Sequence, residues 1–143
     1  MSDIPNNYFR TSVKALILDN EKRVLLILED NGLWELPGGG LDFGEKPKDC
    51  LARELHEEMG LEVTHINKQP SYFVSALNIT GEWKTNVMYE TEVKDLNFTP
   101  SDECRELRFF TKEEALKLKL FPIVKEFLNE FDPKNHEPKR SNA

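Results

Sequence analysis

The amino-acid sequence predicts an α/β fold. Three features carry that expectation: apolar strand-like runs near the start and again from Ser71 to Val93, a helical stretch bracketed by Pro47 and Gly60, and a second helical pattern that begins at Pro122. Strands interleaved with helices bury their apolar faces most simply as helices packed on a sheet. A chain of 143 residues suits one domain with its own core. No internal repeat or low-complexity tract divides it. The expected organisation is a single domain over residues 1–132, followed by a polar, disordered tail over 133–143.

The elements follow in order. Ser12 to Asp19 alternates and then runs apolar, and Arg23 to Glu29 is a second apolar run. The intervening "DNEK" reads as a turn, so the pair predicts a hairpin buried on both faces. A short strand at Trp34 to Leu36 leads into a glycine turn, because four of the seven glycines lie between Gly38 and Gly44. Pro47 suits the first turn of a helix, where its missing N–H is harmless, and Gly60 suits the position just past the end. Ser71 to Leu77 and Glu82 to Val93 are strand-like around the turn "NITG". Leu107 to Phe110 is another short strand. Thr111 with Glu114 forms a capping box that opens a helix at "KEEALKL". In the last helix, Ile123, Val124, Phe127, Leu128 and Phe131 recur at helical spacing.

Composition narrows the function. Hydrophobic residues make up 38% and charged residues 31% of the chain, an ordinary water-soluble balance. A net charge of −7 offers no attraction to nucleic-acid polymers. It would also repel a small anionic substrate, unless bound cations reverse the local sign. Two separated cysteines, Cys50 and Cys104, make neither a disulfide framework nor a zinc site, which suits idle thiols in a reducing compartment. No apolar run reaches the ~18 residues of a membrane span, and the first ten residues lack a signal-peptide pattern. The expectation is a cytoplasmic protein without membrane partners.

The chemistry concentrates in "GGLDFGEKPKDCLARELHEEMGL", Gly39 to Leu61. At about 100° per residue, Glu54, Glu57 and Glu58 fall within a third of the helix circumference. They adjoin the apolar stripe of Leu51, Ala52, Leu55 and Met59. Like charges at helical neighbour spacing repel, and partial burial makes them costlier. A hard divalent cation would offset both. Arg53 can pair with Glu57 one turn on, or reach back to Glu45. A solvated charged face is the bland alternative. A phosphate loop is excluded by the missing Gly-Lys-Ser/Thr, and a helix–loop–helix calcium site by the missing alternate aspartates.

Gly39, Glu45, Arg53, Glu54, Leu55, Glu57, Glu58, Gly60 and Leu61 stand at the spacing of a long fixed signature, and the segment resembles that of the Nudix hydrolases. "WELPGG" just upstream is also typical of them. The resemblance implies an α/β/α sandwich with a mixed sheet, in which the signature forms a loop–helix–loop. It implies metal-dependent hydrolysis of a nucleoside diphosphate linked to another group. Glu57 and Glu58 would be the main ligands of Mg²⁺ or Mn²⁺, with Glu54 a ligand or the base and the Gly38 carbonyl a further ligand. Arg53 and Glu45 would brace the site.

Outside the signature the sequence is less specific. Glu103 and Glu106 stand where related proteins often carry a further acidic residue. Glu106, at the start of a strand, is favoured as the general base. Arg10, Tyr8, Phe73 and Gly39 are the candidate substrate contacts, with Phe9, Phe43, Tyr72 and Trp83 as other aromatics able to stack a base. Small nucleotides, foremost nucleoside triphosphates, are the expected substrates of a monomer or homodimer. Nucleotide sugars and dinucleoside polyphosphates are the enzymatic alternative. A nucleotide-sensing module without turnover is the non-enzymatic one, and the retained glutamates speak against it.

Overall fold

Strand β1 (Phe9–Leu16) runs through the middle of a curled mixed sheet, in a computed structural model that describes residues 7–138. It pairs in parallel with β7 (Trp83–Val93) and antiparallel with β4 (Gly38–Gly40). The far side of β7 carries two strands end to end. β6 (Tyr72–Leu77) pairs with its first half and β5 (Val63–Ile66) with its last residues. A smaller antiparallel sheet has the order β3 (Trp34–Glu35), β2 (Val24–Leu28), β8 (Glu106–Phe110). The helices are α1 (Pro47–Met59), α2 (Lys112–Ala115) and α3 (Pro122–Glu130).

Side-chain alternation explains the sandwich. Val13, Ala15 and Ile17, with Leu25 and Ile27, share a core with Leu51, Leu55 and Met59 of α1. The alternate residues Leu16, Leu18, Val24 and Leu26 pack instead with Val124, Phe127 and Leu128 of α3. Successive strand side chains point to opposite faces, so an unbroken apolar run is what two covered faces require. Leu51, Leu55 and Met59 are fully buried, each worth roughly 2 kcal/mol of transfer free energy. That anchoring fixes the rotation of α1 and therefore where its glutamates emerge. Pro47 opens the helix, and Gly60, left-handed at φ 68°, closes it.

Four expectations are corrected. The β1–β2 turn forms at Asp19, which accepts the Arg23 N–H at 2.9 Å, but the strands pair only beside it and then part into different sheets. The expected glycine turn is partly a strand, since Gly38 to Gly40 pair with Lys14 to Ser12. The Thr111 capping box is present, yet its helix is a single turn. The tail expected to be disordered begins with a 3-10 turn (Pro133–Asn135), and His136 is buried, within 2.7 Å of the Tyr72 hydroxyl. Residues 139–143 of that tail lie outside the described residues. Strand β5 was not anticipated, because "VTHI" is short and exposed along much of its length. Among the described residues no helix is long and apolar enough to cross a membrane.

Candidate active site

The glycine strand β4 packs against α1 at Cys50 and Glu54 and lines a polar cleft of about 300 Å³. Glu54 and Glu58 enter it from α1, one helical turn apart on the same face. Gly39 lets them in. A Cβ on Gly39 would lie 2.4 Å from the Glu54 carboxyl carbon, so no other residue leaves the carboxylate its place. Gly38, at φ 133°, carries the backbone past β1 in a conformation that L side chains rarely adopt. Its carbonyl faces Lys14, whose Nζ donates to it at 3.3 Å.

Arg53 locks the loop to the helix. Its Nε and one terminal nitrogen donate to the two oxygens of Glu45 at 2.6 and 2.9 Å, a forked contact. The other terminal nitrogen reaches Glu54 and Glu57, both at 3.1 Å. The hydrogen bonds from Arg53 hold the Glu45 carboxyl down to about 2. The same guanidinium therefore fixes the loop, orients Glu54 and draws Glu57 outward. Cys50 sits under this clamp with its thiol toward the Gly39 and Gly40 carbonyls, and burial pushes it up to about 12. Cys104 is likewise buried and free.

Glu58 is different. Burial, and a hydrogen bond with Glu54, push its carboxyl up to about 9. Desolvation and the neighbouring Glu54 carboxyl both disfavour the charged form of Glu58. The pair, the nearby Gly38 carbonyl and the polar walls are hard oxygen donors of the kind magnesium and manganese take. No group of three or more acidic, histidine or cysteine side chains among the described residues stands ready to hold an ion. Glu57 is the reason the expected trio is not assembled: its side chain is 57% exposed, paired with Arg53, and does not line the cleft.

The expected residues outside the helix are placed unevenly. Glu106 pairs with Arg108 and does not line the cleft, which corrects the preference for it. Glu103, from the loop before β8, does line it and adds to the raised Glu58. Of the four candidate substrate contacts, Gly39 alone lines the cleft. Arg10 lies over Gly40 and donates to the Leu41 carbonyl at 3.1 Å, beside Tyr8 in a separate groove. Phe73 is exposed on β6. Sequence reasoning missed Lys14, Glu29, Glu35, Lys84 and Asn86, which also line the cleft. One signal was available: Lys14 and Asn86 are polar residues inside otherwise buried strands.

Comparison with known proteins follows this geometry. The family model described as NUDIX domain matches residues 8–131. An RNA pyrophosphohydrolase of Ruthia magnifica subsp. Calyptogena magnifica is 42% identical over 67 residues, 45% of this chain and 36% of that protein. A MutT-like protein of Streptomyces ambofaciens is 45% identical over 53 residues, 36% of this chain and 34% of that one. The chain thus spans well under half the length of these two curated relatives. The crystal structure of a MutT protein from Methanosarcina mazei Go1 superposes with a TM-score of 0.69 at 24% identity, covering 94% of this chain and all of that one, a likeness of fold.

Proposed function

The chain belongs to the Nudix family, and from that premise we propose that it is a divalent-metal-dependent pyrophosphohydrolase, cleaving a nucleoside diphosphate linked to another group by attack of water on phosphorus. One observation carries the reading: Glu54 and Glu58 stand one helical turn apart on the wall of a polar cleft that the Gly38 backbone also lines. A structural carboxyl pair has no need of such a place. Glu54, Glu58 and Gly38 would hold Mg²⁺ or Mn²⁺, with Glu57 able to join them by leaving Arg53. When bound, the ion neutralises the diphosphate and lowers the pKa of a water beside it.

The remaining roles belong to the chain. Arg53 and Glu45 are positioning residues, because the forked contact holds the loop against α1 while the guanidinium steers Glu54. Glu103 faces the cleft from outside the helix, so it is better placed than Glu106 to take the proton of the attacking water. Lys14 sets a positive charge among the carboxylates and can meet a phosphate oxygen. Small nucleotides, foremost nucleoside triphosphates, suit a cleft of about 300 Å³. The reading includes a cytoplasmic monomer or homodimer. The name of the Ruthia magnifica relative supports pyrophosphate hydrolysis as the reaction.

The test is a substrate panel with Mg²⁺ or Mn²⁺: nucleoside triphosphates, nucleotide sugars, dinucleoside polyphosphates and 5′-triphosphorylated RNA, with products identified by mass. Glu58→Gln should lower turnover by about 10²-fold or more on whichever substrate is cut. Either ion should raise the melting temperature of the wild type, since a ligand of the folded state alone stabilises it. No turnover on the whole panel together with no shift in melting would refute the proposal.

A further inference from the structure

The face of the main sheet that turns away from the cleft is left uncovered at one end. Ser12, Lys14, Lys84 and Asn86 line the cleft, so the residues between them on β1 and β7 point to the other side. On that side α1 packs over Val13 and Ala15. Beyond them, strand pairing sets Phe9, Trp83 and Leu77 side by side across β1, β7 and β6. One step inward it does the same with Thr11, Thr85 and Ser75. Phe9 and Trp83 meet edge to face, with ring centroids 6.0 Å apart. The Thr11 and Thr85 hydroxyls bond to each other at 3.0 Å, which satisfies the middle of the face without a charge. Phe73 continues it on β6, opposite Val87. Phe73 is 66% exposed, Phe9 55%, Trp83 50% and Leu77 48%.

Large side chains of this kind carry roughly 150–250 Å² each, so these exposures leave about 400 Å² of apolar surface in one place. Phe43, fully exposed, shares a groove with Phe9 and Thr11 and brings the total to about 600 Å². A contiguous apolar patch of that size marks a contact surface. Neither row contains a charged residue, and charges such as Glu82 and Asp42 stand at the rim. Charge then selects the partner. The chain carries −7, so two copies repel wherever their charged surfaces approach. The uncharged rows are where they can meet without that repulsion. A nucleic acid or an anionic membrane would need cations that the rows lack. β6 is also an edge strand, and Tyr72–Leu77 carries none of the charges or prolines that keep such edges apart. We propose that this face is the contact of a homodimer, in which the uncovered rows of two copies pack sheet on sheet about a two-fold axis. About 600 Å² per copy falls short of the ~800 Å² of a standard interface, so the dimer forms with a dissociation constant on the order of 10–100 µM. The rows lie on the far side of the sheet from the cleft, so the inference stands apart from the hydrolase reading.

Sedimentation velocity of the full chain, in EDTA and without substrate, reads the association from micromolar to half-millimolar concentration. The sedimentation coefficient should climb from that of a monomer to that of a dimer across the series. Raising NaCl to half-molar should tighten the dimer, because salt screens the repulsion between copies and leaves apolar contact intact. Phe73→Lys and Trp83→Lys should each raise the dissociation constant at least tenfold, even though each lowers the net charge that keeps the copies apart. Leu116→Lys, at an exposed apolar position outside the rows, should leave the dimer as it is. A monomer throughout the series would overturn the proposal, whether the face is then open or covered by residues 1–6. So would a dimer that survives both row variants, or one that Leu116→Lys weakens as much as they do. If a row variant does not fold, the wild-type series and its salt response decide, since a dimer weakened by salt is held by charges and refutes an apolar face.

Discussion

Replacing Gly39 by alanine tests the geometry of the site with a single methyl group. Gly39 has no left-handed backbone to lose, so alanine is conformationally allowed there. The added Cβ would lie 2.4 Å from the carboxyl carbon of Glu54 and 2.5 and 2.7 Å from its oxygens, whereas ordinary contact begins at 3.4 Å. The carboxylate must therefore retreat by about 1 Å. It is the end of a flexible side chain, so the move costs little stability, on the order of 1 kcal/mol for an off-rotamer torsion. A displacement of about 1 Å at a reacting centre is worth on the order of 10²-fold in rate, or about 2.7 kcal/mol of barrier. The assay is kcat/KM on the best substrate of the panel, with a thermal melt in parallel. Gly39→Ala should lose about 10²-fold in kcat/KM while its melting temperature moves by only a few degrees. Gly38→Ala supplies the contrast: its Cβ would stand 2.1 Å from the Val13 carbonyl oxygen at a φ of 133°, so it should damage the fold itself. A Gly39→Ala enzyme within threefold of wild type would show that the position of Glu54 does not matter to the reaction.

Three further outcomes follow from the same contacts. Arg53→Lys should lose nearly as much activity as Arg53→Ala, because one ammonium cannot reproduce the fork on Glu45 while also meeting Glu54 and Glu57; a fully active lysine variant in steady-state assays would contradict the clamp. Glu29 is raised from 4.5 to about 7, so the native state holds its proton where the unfolded chain has released it. Stability is complete below about 4.5 and is lost as pH rises toward 7 and beyond. Between pH 5 and pH 8 in EDTA, the wild type should therefore lose about 1–2 kcal/mol relative to Glu29→Gln, a figure reduced for partial exposure and read from paired denaturant titrations. Ending the chain at Asp132 should lower stability by about 2 kcal/mol, since it removes the His136 ring stacked on Phe131 and bonded to Tyr72; an unchanged melting temperature would return the tail to the role first expected of it.

Much of the fold was legible because periodicity reports burial. The apolar runs in β1 and β2 predicted strands covered on both faces, and the Pro47 and Gly60 boundaries of α1 fell within a residue of their expected places. What failed was pairing. A turn between two apolar runs says that the chain reverses, not that the two strands stay together, and here they separate after the bridge at Leu18 and Val24. The glycines of β4 were read as a turn because glycine is depleted in strands. Their presence in one is explained by what lies against them: the Glu54 carboxylate at Gly39 and the Arg10 guanidinium at Gly40. The tail misled for a related reason. A polar composition argues against a packed segment, but one histidine with a tyrosine and a phenylalanine to meet is enough to seat a turn.

The site divides the same way. Its helix was legible because a fixed spacing on a regular element is a statement about direction in space: Arg53 does join Glu45 to Glu57, as four-residue separation and loop length allow. The loop before β8 has no such regularity, and there rigidity was the wrong criterion. Glu106 begins a strand, and that regular position pairs it with Arg108; Glu103, in the looser segment, is the one that lines the cleft. The inner wall was hidden for a third reason. Glu29 and Glu35 come from the smaller sheet and its edge, Lys84 and Asn86 from β7 of the other sheet and much later in the chain, and apart from the buried Asn86 each looks alone like an ordinary strand or strand-end charge. Their shared wall exists only after the sheets have come together. The signature carboxylates thus come from one contiguous segment, while the facing wall of the cleft is built from residues that only the assembled fold brings together.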